Sequence, residues 1–481
     1  MKASSNQRNR LFRVALALLF APLAPSPAAT ITWTNVLSGG WNTAANWSPN
    51  TVPGAGDTAV ITNTGNYTVT LDISPTVTGL ILGASSGVTT QTLAMNGQTF
   101  TLNGPCTINS RGLFSLGSGA LSGGTTSSIS GIITWTGGTL AGTLTFNTNA
   151  TLSISGGGNH DIPSCVLTNN GAVTWSGGPI RGGGNPGTFI YNNGVWDSQG
   201  DLTWNNDFFG SGTVFNNAGT FRKSASQVAS GSTIFVNGVV LNNTGKLDAQ
   251  TNYLNLQGGG TLTGGTATNL NGFVYLNGGA FNVNGTVTST NAQLAGATLT
   301  GNNVITGGFN WIVGDWNSAA SVTISANTLL LVTSANDHNL ANTVVTNNGT
   351  IAWSNGRIRG GGNPGTFIYN NGVWDSQGDL TWNNDFFGSG TVFNNLGTLR
   401  KSGGASEFTN ATVFTSGVFL NQLAGVIDVQ NGTNGLELAF QGGGNFTGGY
   451  ITTNAFGLTV LSSGNFTLNG TVSGTNTWEN S

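Results

Sequence analysis

The chain has 481 residues, of which 6% are charged and 77 are glycine, with a formal net charge of −3. That length exceeds one ordinary hydrophobic core, so it implies several domains or one extended repeat array. A surface with 13 Lys and Arg against 16 Asp and Glu argues against a nucleic-acid partner, and regular apolar alternation argues against the usual disordered class.

Lys2, Arg8, Arg10 and Arg13 precede the apolar run 14–21, and Ser26, Pro27 and Ala28 follow it. This is the layout of a secretory signal peptide over residues 1–28, cleaved after Ala28, and it implies a secreted or cell-surface product. The run falls short of the ~20 residues that cross a bilayer, so no membrane span is expected in the mature chain. Without the leader, 9 basic residues face 16 acidic ones, a net charge of −7.

Residues 29–82 bring Trp33, Trp41 and Trp47 close to Pro49, Pro53 and Asp57, and then alternate apolar and polar residues over 67–72. They read as a small β-rich cap, because the open end of a stacked fold would expose core and unpaired strand edges. From about residue 81 the chain becomes a series of short strands of Thr, Val, Leu, Ile and Phe, broken by Asn-Gly, Gly-Gly and Ser-Gly. Those dipeptides supply the positive φ of tight turns, and no stretch keeps a helical period. Cys106 and Cys165 fall in this region and read as two buried free thiols, because their separation in sequence would make a bridge cross more than one coil.

Asparagine pairs mark the turns at 169–170, 192–193, 216–217 and 242–243, and again at 347–348, 370–371 and 394–395, in steps of 23 to 26. A step of that size is one coil of a solenoid. The predicted fold is all-β: a parallel β-helix (β-solenoid) behind the N-terminal cap, with asparagine side chains hydrogen-bonded amide to amide along the rod. At ~24 residues per coil the chain supplies ~16 coils and a rod of ~80 Å.

Residues 181–217 recur letter for letter at 359–395, an offset of 178. His160 matches His338, Trp175 matches Trp353, and the Arg222-Lys223 pair matches Arg400-Lys401 at the same offset. The expected organisation is a first long unit over 83–272, a second over 273–457 and the start of a third over 458–481. Insertion of whole units is what a stacked architecture tolerates.

The pattern G-x-W-N-x-A-x-N-W-S-P-N-x-V-P-G-x-G-D at 39–57 resembles the start of exported bacterial proteins built from autotransporter-associated β-strand repeats. The W-[TS]-G-G motifs at 135–138 and 175–178 and the N-N-G at 192–194 resemble the same proteins and filamentous-haemagglutinin-like solenoids. The resemblance implies a parallel β-helix at or outside the cell surface with an adhesive or matrix role. It implies no catalytic residues.

Each unit clusters aspartates with aromatic residues: Trp196, Asp197, Asp201, Trp204 and Asp207 with Phe208 and Phe209, then Trp374, Asp375, Asp379, Trp382 and Asp385 with Phe386 and Phe387. One reading is a carbohydrate-binding strip, rings stacking on sugars and carboxylates taking hydroxyl bonds, or an acid pair for glycoside cleavage. The competing reading makes the aspartates turn residues and the rings core. The Gly-His-Gly and Arg-x-Lys motifs of β-helix hydrolases are absent, and Arg222-Lys223 and Arg400-Lys401 read as solvated turn residues. His160 and His338 lack a second ligand nearby in sequence, the glycine-rich 182–187 lacks the Lys-Ser/Thr of a phosphate loop, and no calcium nonapeptide occurs. No catalytic residue, metal or cofactor is expected. The predicted function is an exported structural or adhesive rod presenting polar and aromatic loops, with glycans or cell-surface and matrix components as partners. The alternative is a polysaccharide-active or carbohydrate-binding β-helix using the strip.

Overall fold

The computed structural model describes residues 28–123, 126–267, 271–405, 411–430, 435–453, 456–475 and 478–480. The leader expected at 1–28 lies, Ala28 apart, outside the described residues. The chain is a parallel β-solenoid of about 17 turns, and strands make up 55% of the described residues.

Each turn is built from short strands whose side chains alternate inward and outward, as in Thr213–Asn217 and Thr220–Lys223. Alternation with apolar residues inward leaves one way to satisfy the backbone: each strand bonds to the strands directly above and below it, and corners face solvent. Three strands complete a turn. The first face stacks Val166–Asn169, Thr188–Asn192, Thr213–Asn217 and Val239–Asn243. The second stacks Ala172–Trp175, Val195–Ser198, Thr220–Lys223 and Lys246–Ala249. The third stacks Ile180–Arg181, Thr203–Asn205, Ser232–Phe235 and Asn252–Leu256.

Turn length varies because only the strands are constrained; the corners absorb insertions. The turn that carries Ser127 onto Leu144 is short, whereas the one that carries Thr203 onto Ile234 takes almost twice as much chain. Over Gly285–Ile324 the corners almost vanish and forty residues wind round the coil as one unbroken strand.

At the N-terminal end Thr30–Trp33 pairs parallel with Thr58–Ile61 and antiparallel with Trp47–Ser48. Trp33, Trp41 and Trp47 are buried, with Trp47 edge-on to Trp33 at 5.0 Å and to Trp41 at 4.8 Å. The rings fill the end of the coil, and the winding itself begins within these residues. Cys106 and Cys165 are both buried and free. Three turns separate them, since Cys106 pairs with Ser127, Ser127 with Leu144 and Leu144 with Leu167. At about 4.8 Å per turn that is roughly 14 Å, too far for a disulfide.

An asparagine ladder fixes the register of the first face. Asn169 donates to Asn192 at 2.8 Å, Asn192 to Asn217 at 2.7 Å, and Asn217 to Asn243 at 2.7 Å. The second hydrogen of each amide goes to a carbonyl in the next turn: Val195, Thr220 and Lys246. The same ladder joins Asn347, Asn370, Asn395 and Gln422. The ladder takes the first asparagine of the pairs at 169 and 192 but the second at 216 and 242. What is constant is a glycine two residues later, at 171, 194, 219 and 245. A Cβ on Gly219 would lie 2.1 Å from the Gly194 carbonyl oxygen, and one on Gly245 would lie 2.1 Å from that of Gly219, so the corner closes only with glycine.

The duplicated units do not sit on the same face. In the second unit Asn347 pairs with Ile324, and Ser325 N–H bonds to the Ile305 carbonyl. The neighbouring Thr306 hydroxyl meets that of Thr288 at 3.1 Å, and Thr288 pairs with Thr266 on the second face. The ladder of the second unit therefore belongs to the second face, whereas that of the first unit belongs to the first. His160 lies on the third face; His338 pairs with Gly314, whose Cβ position sits 2.5 Å from the Ala297 carbonyl oxygen on the first. The offset between the copies thus amounts to about eight and one-third turns, or ~40 Å along the axis.

Candidate functional site

The duplicated strip resolves into buried aromatic core and aspartates held by ion pairs or by glutamine hydrogen bonds. Trp196, Trp204, Trp374 and Trp382 are all buried. Trp204 packs edge-on to Phe215 at 5.4 Å and Phe235 at 5.6 Å, and Trp382 to Phe393 at 5.7 Å. These four rings fill the coil and offer no face to a sugar, which corrects their assignment to a binding strip. The signal was strand parity: each tryptophan occupies an inward position of its strand.

Asp201 and Asp379 hold a buried lysine. Lys223 is 0% exposed, and its Nζ donates to the Gly200 carbonyl at 2.8 Å, Asp201 Oδ1 at 2.9 Å and the Ala225 carbonyl at 3.0 Å. Lys401 repeats the arrangement with the Gly378 carbonyl and with Asp379 Oδ1 at 3.1 Å. Burial presses both ammonium groups below their ordinary value while the aspartates pull them up. Three acceptors around Lys223 Nζ require three donors, which only the ammonium has. Burial alone would raise Asp201, but the Ser226 hydroxyl, Lys223 and the Gln227 N–H outweigh it and hold the carboxyl at about 2. Lys223 and Lys401 are therefore not solvated turn residues: each ends a strand with its side chain inward, and the aspartate that accepts it ties down the following corner. A carboxylate so engaged is not free to act as a general acid.

Asp197 and Asp375 point outward in columns that continue through Arg222 and Asp248, and through Arg400 and Asp428. Arg222 meets Asp248 at 3.3 Å and Arg400 meets Asp428 at 2.9 Å, while Gln199 and Gln377 bond to Asp197 and Asp375. Asp207 and Asp385 belong to a second set of columns. Arg181 forks onto Asp161 at 2.7 and 2.8 Å and reaches Asp207 at 3.8 Å. In the second unit Asn339 stands where Asp161 stood, and the acid has moved to Asp337, which pairs with Arg357 at 2.7 Å and Arg359 at 3.1 Å. Arg359 also meets Asp385 at 2.8 Å. The pairing persists although the acid has changed position.

Both histidines are buried against a tryptophan, His160 edge-on to Trp135 and His338 to Trp311, each at 4.9 Å. His160 Nε2 lies 3.1 Å from the Trp135 carbonyl and 3.0 Å from that of Ser155; His338 Nε2 lies 3.1 Å from that of Trp311. Burial pushes both imidazoles below 6.5. Among the described residues no group of three His, Cys, Asp or Glu is placed to hold a metal ion, and no helix is long and apolar enough to cross a membrane.

What each unit does present is the corner 205–212, repeated at 383–390. It stacks on the glycine-rich corner 181–187: Phe208 N–H bonds to the Gly182 carbonyl at 3.1 Å, Gly184 N–H to that of Phe209 at 2.9 Å and Ser211 N–H to that of Gly184 at 2.8 Å. A Cβ on Gly183 would fall 2.4 Å from Asn206 Oδ1, so this close approach also needs glycine. Arg181 covers the Phe208 ring at 5.6 Å and Arg359 covers Phe386 at 5.0 Å. Phe209 and Phe387 then stand out, 74% and 76% exposed, at φ of 47° and 51°. A bulky side chain in the left-handed region costs about 1–2 kcal/mol, and here no burial of the ring offsets it. The chain matches no known family model, no curated protein and no solved structure.

Proposed function

We propose that the chain is an exported, extracellular or cell-surface rod of the kind it resembles in sequence, a structural or adhesive solenoid whose duplicated corners engage a partner through Phe209 and Phe387. The observation that carries this reading is the pair of exposed phenylalanines held at positive φ in both copies, on corners fixed by backbone hydrogen bonds to the corner beneath. Strain that folding does not repay points to a role outside folding. The basic, then apolar, leader at 1–28 supports export. A stiff scaffold contributes by preorganisation: the backbone of the corner is already fixed, so little of its conformational entropy remains to be lost on binding. Two copies ~40 Å apart along the axis and on neighbouring faces offer two points of attachment.

The test is binding of residues 29–481 to intact cells, with Phe209→Ala and Phe387→Ala introduced singly and together. The account expects each single variant to weaken binding and the double variant to abolish it, with an unchanged circular dichroism spectrum. Binding that survives the double variant would remove these corners from the function. Hydrolysis or cleavage of a polysaccharide that is lost in Asp207→Asn and Asp385→Asn would replace adhesion by the enzymatic reading.

A further inference from the structure

Between the duplicated units the third face carries an uncharged trough that neither copy contains. Outward residues line up in successive turns: Tyr253 under Phe273, Asn255 under Tyr275, and Tyr275 under Gln293. Tyr253 stacks on Phe273 at 5.8 Å and an angle of 23°, and lies 4.7 Å from Tyr275. One turn above Thr290 the outward position falls to Gly308, which has no side chain to fill it, and Leu329 follows in the turn above that. The gap is a trough of about 200 Å³ with Phe273 at one end, Leu329 at the other and Asn291, Gln293 and Asn310 along it. Phe273 and Leu329 are exposed at its rims. Gln293 is 6% exposed, and its Oε1 has no hydrogen-bond partner among the described residues.

We propose that this trough binds a neutral polysaccharide chain running along the rod. A sugar ring has apolar faces and a rim of hydroxyls. The aromatic tier of Tyr253, Phe273 and Tyr275 suits the faces, and the amides of Asn291, Gln293 and Asn310 suit the rim. Gln293 Oε1 is shut off from solvent as well as unpaired, so a sugar hydroxyl reaches it once the amide turns into the trough, which removes the desolvation cost the unpaired acceptor carries. Among the described residues the lining holds no Asp, Glu, Lys or Arg, so nothing there would balance the charge of an anionic polymer. The trough lies outside both duplicated corners, and the proposal stands or falls separately from the role given to Phe209 and Phe387.

The test is isothermal titration of residues 29–481 with neutral hexasaccharides of β-1,4-, β-1,3- and α-1,4-linked glucose, with hexagalacturonate and with an uncharged apolar peptide of similar length. The result expected is binding of at least one neutral hexasaccharide, weakened about tenfold or more by Phe273→Ala and by Gln293→Leu, and unaffected by Phe209→Ala with Phe387→Ala. Because Phe273 is exposed, its truncation leaves the core intact, and an unchanged circular dichroism spectrum checks this. Failure of every neutral hexasaccharide to bind, binding indifferent to both trough variants, or preference for the uronate or the peptide would overturn the proposal. Loss of cell adhesion in the Phe209 and Phe387 variants with hexasaccharide binding intact would separate the two sites.

Discussion

At the scale of single residues, the fold depends on polar groups buried in complete hydrogen-bond sets. Asn217 accepts from Asn192 and donates to Asn243 and to the Lys246 carbonyl, so its loss orphans partners in two turns. At ~1–3 kcal/mol for a buried group left unsatisfied, Asn217→Ala should lower stability by about 3 kcal/mol, and Asn216→Ala, on the outward side, by under about 1 kcal/mol. Urea denaturation of the two variants reads the register directly, because the adjacent asparagines differ only in which one faces inward. Lys223→Met should cost ~3–5 kcal/mol by stranding Asp201, and adding Asp201→Asn should recover part of that loss, as a double-mutant cycle would measure. The histidines set a pH dependence. Both imidazoles are held below 6.5 when folded, so the unfolded chain takes up protons first as pH falls. Stability should be full above about 6.5 and decline below it, and His160→Gln with His338→Gln should flatten that first decline. The contribution of Asp201 follows at lower pH: it is present above 3.8 and lost as pH falls through about 2.

At the scale of the strand and its corner, composition and spacing revealed the coil but not its details. The recurring Asn-Asn step exposed the repeat, because stacked corners demand like residues in like places. Which asparagine enters the ladder was hidden in the pair and is decided by the glycine two positions on, whose missing Cβ admits the carbonyl of the turn below. The charge of Lys223 points to solvent, whereas its place at the inward end of Thr220–Lys223, opposite an aspartate one turn down, puts it in the core. The tryptophans of the strip were ambiguous because sugar platforms and core rings share the same residues, and only strand parity separates them. The trough on the third face was not legible at all. It arises from three-dimensional stacking of Tyr253, Phe273, Gln293 and Gly308, which no motif links.

At the scale of the whole molecule, unequal turns make the duplication asymmetric. The first unit includes the long turn between Thr203 and Ile234 on the third face, while the stretch Gly285–Ile324 is wound in tight turns with almost no corners. Their sum leaves the second copy one face further round the coil, a result invisible in the offset between the copies read against the asparagine step. The central claim is that successive turns stack at one strand spacing. The positions 145, 168, 191, 216, 242 and 261 are outward register partners on the first face. The direct measurement is pulsed electron–electron distance spectroscopy on a chain with Cys106 and Cys165 replaced by Ala, and spin labels placed at 145 together with 216, 242 or 261. The account predicts narrow distributions whose Cα separations climb by one spacing each, near ~14, ~19 and ~24 Å. Distances that are broad, or that do not rise in that order, would contradict the stacked coil and everything built on it.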